Sequence, residues 1–94
     1  MSAEITSLSL HDVAMALASK DVSSVEVTDA CIDRMEKLNP VLDCAVEILA
    51  DQARSDAHAA DKTRSKSQTP APLLGVPLAH KDMYYRAGRI SGCG

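Results

Sequence analysis

Apolar and polar positions recur along the first forty residues with a helical period. Leu10, Val13, Ala14 and Leu17 stand three and four places apart and form one apolar stripe. Ser9 precedes the stripe and is followed three residues on by Asp12, a start that resembles a capping box and places an acid in the first turn. The stripe fades through Ser19, Lys20 and Asp21. A second start is sharper. Ser23 stands three residues before Glu26, so each side chain can satisfy the other's backbone N–H. Val25, Thr28, Ile32, Met35 and Leu38 then follow one face, with Cys31 beside it. Asn39 tolerates a left-handed cap and Pro40 cannot continue the ladder, so the pattern predicts an end at Asn39. Two amphipathic helices within residues 8–39 predict an αα-hairpin.

Beyond Pro40 the period changes. Cys44, Val46 and Ile48 alternate with Asp43, Ala45 and Glu47, which predicts a short half-buried strand over residues 42–48. Residues 51–61 read as a third helix rich in Ala, the best helix former, with Ala53, Ala57 and Ala60 on one side. Residues 62–72 hold Lys, Arg, Ser, Thr, Gln and two prolines without periodicity, and read as a solvated loop. An apolar run over residues 73–79 leads into His80-Lys81-Asp82. Its length and bounding turn residues suit a buried strand, although Pro77 removes one ladder donor. Three glycines mark residues 86–94 as turn and loop.

Composition narrows the class. The chain has 94 residues, room for one small domain at most, and a net charge of -3, which gives no electrostatic reason to expect a nucleic acid or an anionic membrane as partner. The Lys62–Lys66 cluster lacks aromatic interleaving and reads as solvated. Phe and Trp are absent and the only rings are Tyr84 and Tyr85, so a core here rests on Leu, Val, Ile and Met and points to packing against something further. The three cysteines, Cys31, Cys44 and Cys93, are odd in number and contain no C-x-x-C pair. They are read as small apolar fillers in a reducing compartment; neither a disulfide framework nor a metal site is expected. No apolar stretch approaches the roughly 20 residues that cross a bilayer, and Met1-Ser2-Ala3-Glu4 does not open a signal peptide. The expected location is cytoplasmic.

Lys81 is the candidate for chemistry. An ammonium at the end of an apolar strand loses solvation and lowers its pKa, and a neutral lysine near pH 7 can serve as a general base. On a strand it would share a face with Ala79 and Met83, while His80 and Asp82 point the other way. By itself that position is more often a solvated surface lysine.

The segment Leu74-Gly75-Val76-Pro77-Leu78-Ala79-His80-Lys81-Asp82 resembles the G-(V/I)-P-(I/L)-x-x-K-D pattern of the amidase-signature family. Leu38-Asn39-Pro40 and the Ala-rich helix ending in Ala60-Asp61 resemble that family's lead-in. Ala87-Gly88-Arg89-Ile90-Ser91-Gly92-Cys93-Gly94 resembles its G-x-x-(T/S)-x-x-G turn.

The resemblance implies an α/β fold. The N-terminal αα-hairpin, third helix and first strands of a mixed sheet with flanking helices would form residues 1–94 of a single, incomplete domain. It also implies a Ser–cis-Ser–Lys mechanism on a small-molecule amide, with Lys81 as base and no cofactor or metal. A serine hydroxyl needs such a base to become a nucleophile. The family's two serines fall downstream of this lysine, Ser91 matches neither, and the 94 residues are expected to be inactive alone. Substrate-binding residues are not assigned. His80 is read as structural and Asp82 as a residue that orders the loop; Tyr84 and Tyr85 border a pocket or pack in the core.

Met83 follows Asp82, where transamidating members more often have Asn, and this tilts the reading towards a free-standing amidase. The alternative is the A component of a glutamine-dependent tRNA amidotransferase. A reading of another class makes the helices a non-catalytic interaction module, with a homodimer allowed.

Overall fold

The computed structural model describes residues 2–79 and Ala87, and over them the chain forms four helices joined by short irregular segments. They are α1 (Ser2–Thr6), α2 (Leu10–Ala18), α3 (Ser24–Leu42) and α4 (Ala50–Lys66). Both expected helix starts are present. Ser9 Oγ accepts the Asp12 N–H at 3.1 Å and opens α2. At α3 the capping box is complete, with the Glu26 N–H donating to Ser23 Oγ at 3.1 Å and the Ser23 N–H donating to Glu26 Oε1 at 3.0 Å. Between these helices the chain stops α2 with a double bond pattern. Lys20 N–H donates to Leu17 O at 3.2 Å and Asp21 N–H to Ala16 O at 3.0 Å. Lys20 takes φ +65°, the left-handed position that such a stop requires.

The long helix α3 occupies the middle, and its close backbone neighbours are α4 and α1. The expected lengthwise pairing of α2 with α3 is therefore not the organising contact. Helix α2 instead lends Val13 and Leu17 to a shared core with Ile5 of α1 and Val27 and Ala30 of α3. Among the described residues Leu17 and Val27 are large, fully buried apolar side chains, each favouring the fold by about 1.5–3 kcal/mol relative to exposure. Val22, Cys31 and Val76 pack on this cluster. The alanine side of α4 also appears as expected, with Ala57 buried and Ala53 and Ala60 half-buried, and such small residues allow α4 to lie close to α3.

Helix ends differ from the sequence pattern at two places. Helix α3 continues through Pro40 to Leu42, and the left-handed cap falls on Asp43 at φ +49°, with its N–H on Asn39 O at 2.7 Å. Proline so near the end removes one helical donor but leaves the last turn closed by that bond. Helix α4 runs to Lys66, so residues 62–66 are helical and the loop begins at Ser67. Arg64 and Lys66 lie in its last turn, where cations complement the helix dipole.

No strand is present among the described residues, so the expected mixed sheet is not confirmed there. A strand closes its hydrogen bonds only on a neighbour. Residues 43–49 have none; Val46 is 91% exposed and Cys44 is exposed too, against its reading as a buried filler. The side chain of Asn39 takes the neighbour's role for one residue. Its Nδ2 donates to Ala45 O at 3.0 Å, and the Ala45 N–H donates to its Oδ1 at 2.8 Å. Residues 73–79 likewise form turns and an unpaired segment, with Leu73 and Leu78 exposed. No helix among the described residues is long and apolar enough to cross a membrane.

Candidate functional site

Lys81 lies outside the described residues, together with His80, Asp82, Met83, Tyr84, Tyr85, Ser91 and Cys93. The structure describes the approach to them, and that approach is tied down at consecutive carbonyls. Two turns fold it first: the Leu74 N–H donates to Ala71 O at 3.1 Å and the Val76 N–H to Leu73 O at 3.2 Å. In the second turn Gly75 holds φ +87°, a value that turns of this kind require at their third residue. Space also demands glycine here. A Cβ on Gly75 would stand 3.0 Å from Ser24 Cβ and 3.0 Å from Ser24 Oγ.

Side chains from two helices then grip the turn. Ser24 Oγ–H donates to Gly75 O at 2.6 Å, and Arg64 Nη2 donates to Leu74 O at 2.6 Å. Ser24 is itself fixed by α4. The Asp61 carboxylate accepts the Ser24 N–H at 2.7 Å on Oδ1 and the Val25 N–H at 3.1 Å on Oδ2. Helix α3 starts with orphan N–H groups that need acceptors, and its positive end favours an anion there. Ser23 and Glu26 satisfy each other, Asp61 takes the two donors between them, and the Val27 N–H begins the ladder on Ser23 O at 3.1 Å. Asp61 and Arg64 are three residues apart and share one face of α4. That single face holds both the first turn of α3 and the turn at Gly75. A second α3–α4 link, between Arg54 Nε and Asp29 Oδ1 at 2.9 Å, lies on the surface, where the hydrogen bond to Asp29 favours the charged guanidinium and raises the Arg54 pKa.

Sequence reasoning singled out Gly75, Asp61 and the Ser23–Glu26 box separately and did not bring them together. It missed Ser24 and Arg64. The signal that could have found Ser24 is a second hydroxyl directly after a capping serine, at a position the structure leaves only 1% exposed. Arg64 was hidden inside a segment read as loop. His11 and His58 are exposed on α2 and α4, and no three His, Cys, Asp or Glu side chains converge on a metal-sized site among the described residues. An open apolar groove of about 450 Å³ runs between α1, α2 and α3, lined among others by Leu10, Met35 and Leu42, and it reaches Val76 and Pro77.

The turn so gripped carries the glycine–valine–proline start of the lysine segment. The family described as Amidase matches residues 26–94, and the chain belongs to it. Among curated relatives, the A component of the glutamyl-tRNA(Gln) amidotransferase of Dechloromonas aromatica is 41% identical over 86 residues, 92% of this chain and 18% of that protein. The proteins of the same name from Pseudomonas entomophila and Azotobacter vinelandii are each 40% identical, over 93% and 92% of this chain and 18% of theirs. The chain thus spans about 18% of the length of these relatives. No solved structure matched it. The relatives are named for an enzyme acting on a tRNA, so the expectation that nucleic acid plays no part, drawn from net charge and the Lys62–Lys66 cluster, is not supported.

Proposed function

We propose that residues 1–94 are the N-terminal part of a single amidase-family catalytic domain that acts on amide C–N bonds, with Lys81 as its general base. The observation that carries this reading is the family match over residues 26–94, which contains Gly75-Val76-Pro77-Leu78-Ala79-His80-Lys81-Asp82 whole. In the mechanism implied, the neutral Lys81 amine takes a proton from a bridging serine as that serine takes one from a nucleophilic serine. The nucleophile attacks the amide carbonyl, backbone N–H groups stabilise the oxyanion, and the C–N bond breaks as the leaving nitrogen receives a proton. Water or another amine then removes the acyl group from the serine. Neither serine is assigned within these 94 residues, and by this reading they do not hydrolyse amides alone.

The particular role proposed is that of the A component of a glutamine-dependent amidotransferase, acting in the cytoplasm with other subunits and a glutamyl-tRNA. Relatives with that name, about 40% identical along nearly the whole chain, favour it. A free-standing amidase is the second reading, favoured by Met83 after Asp82. Ammonia release separates the two when the complete enzyme is assayed with and without partner subunits. Release from glutamine only with partners supports the amidotransferase, and turnover of simple amides without them supports the free-standing enzyme. No turnover in either assay overturns both.

A further inference from the structure

We infer that Asp61 and Ser24 are positioning residues for the Lys81 amine, an inference that rests on the reading of Lys81 as the base. Lys81 follows Gly75 by six residues, a stretch that reaches at most about 20 Å when fully extended. Whatever fixes Gly75 therefore fixes one end of a short tether. The segment leaving Gly75 is stiff at its start. Val76 packs on the core and, standing before a proline, is confined to extended backbone; Pro77 has its own φ locked. Val76 and Pro77 pass a shift at Gly75 forward rather than absorb it.

The grip on Gly75 is a relay. Asp61 holds the Ser24 and Val25 N–H groups, which fixes where the Ser24 hydroxyl stands, and that hydroxyl holds Gly75 O at 2.6 Å. Arg64, on the same face of α4, holds the preceding carbonyl. Ser24 is almost wholly buried, and both its N–H and its hydroxyl donate within this relay. In this reading neither residue touches the reacting atoms. Both act through the backbone that carries the base, and a misplacement of about 1 Å at a reacting group can cost about 100-fold in rate.

Two measurements test this. In the 94-residue chain, hydrogen exchange of the Leu74 and Val76 amides is followed in Ser24→Ala and in Asp61→Asn, with α4 amides as internal reference. Both variants are expected to speed exchange at Leu74 and Val76 selectively. Unchanged exchange there overturns the relay. In a full-length chimera, residues 1–94 replace the matching segment of the Dechloromonas aromatica protein, and kcat, KM and the pH profile are measured. Asp61→Asn is expected to lower kcat by about 10- to 100-fold with KM little changed. The acid limb of kcat should move to higher pH as a displaced amine regains solvent. Arg54→Ala removes an α3–α4 link that does not touch the turn, and is expected to keep parent kcat. An Asp61→Asn enzyme with parent kcat and pH profile overturns the positioning role, as does Arg54→Ala falling equally far. Parent turnover in Lys81→Ala instead removes the base reading, so the two failures are distinguishable.

Discussion

Replacing Asp61 with alanine is the perturbation whose cost the structure defines most fully. The carboxylate accepts two N–H groups of the first turn of α3, at 2.7 and 3.1 Å. Ser24 is 1% exposed, so water does not readily replace the lost oxygen there, whereas Val25 is half-buried and regains part of its solvation. A hydrogen bond to a charged group contributes about 1.5–3 kcal/mol, and a buried donor left unpaired costs about 1–3 kcal/mol. Counting Ser24 in full and Val25 in part gives a loss of about 2–4 kcal/mol. A small domain has only about 5–15 kcal/mol of stability in all. The assay is urea unfolding followed by far-ultraviolet circular dichroism. With a slope of about 2 kcal/mol per molar urea, the midpoint should fall by roughly 1–2 M. Asp61→Asn, which keeps one acceptor and loses the charge, should fall between parent and alanine. A midpoint for Asp61→Ala within about 0.2 M of the parent refutes the reasoning, since the coupling of α3 to α4 would then rest elsewhere.

Gly75→Ala should destabilise the chain by about 1–3 kcal/mol, through its positive φ and the 3.0 Å approach to Ser24, read by the same unfolding curve. Lys20→Gly should stabilise it by about 1 kcal/mol, because a side chain now occupies the left-handed stop of α2; a lower midpoint contradicts this. Leu17→Ala, at a fully buried core position, should cost about 2–5 kcal/mol. Burial pushes the Cys31 thiol above its ordinary value while Cys44 is exposed, so an alkylating reagent should modify Cys44 before Cys31. Because the folded state keeps the Cys31 proton longer than the unfolded chain does, stability from this group is intact below the ordinary thiol range and falls as pH rises through it. Mass spectrometry of the alkylated chain and unfolding curves at two pH values check these statements.

What the sequence revealed and what it concealed divide along a physical line. Signals confined to one or two helical turns were legible: Ser9 with Asp12, Ser23 with Glu26, and the alanine side of α4 all appear as read. A capping bond is decided by its own turn, so neighbours elsewhere in the chain do not alter it. Strand readings at residues 42–48 and 73–79 depended on partners that periodicity cannot supply. The alternation at Cys44, Val46 and Ile48 was real, but burial needs an opposing surface, and here Val46 faces solvent. Pro40 misled in the other direction, since a proline in the last turn costs little when Asp43 closes the end. The Ser24–Asp61–Gly75 relay joins residues 36 to 51 positions apart. Each member has a local reading that is complete without the others, so only the packing of α3 against α4 makes the connection visible. Family resemblance reached Lys81 by another route, through a contiguous motif.

The identity of the base is tested most directly by amide turnover in a full-length chimera carrying Lys81→Ala. A general base contributes about 100- to 10,000-fold, so kcat should fall by that factor while the variant keeps the parent's unfolding midpoint. Turnover near the parent's, in a variant that folds as well, would mean that another group accepts the serine proton.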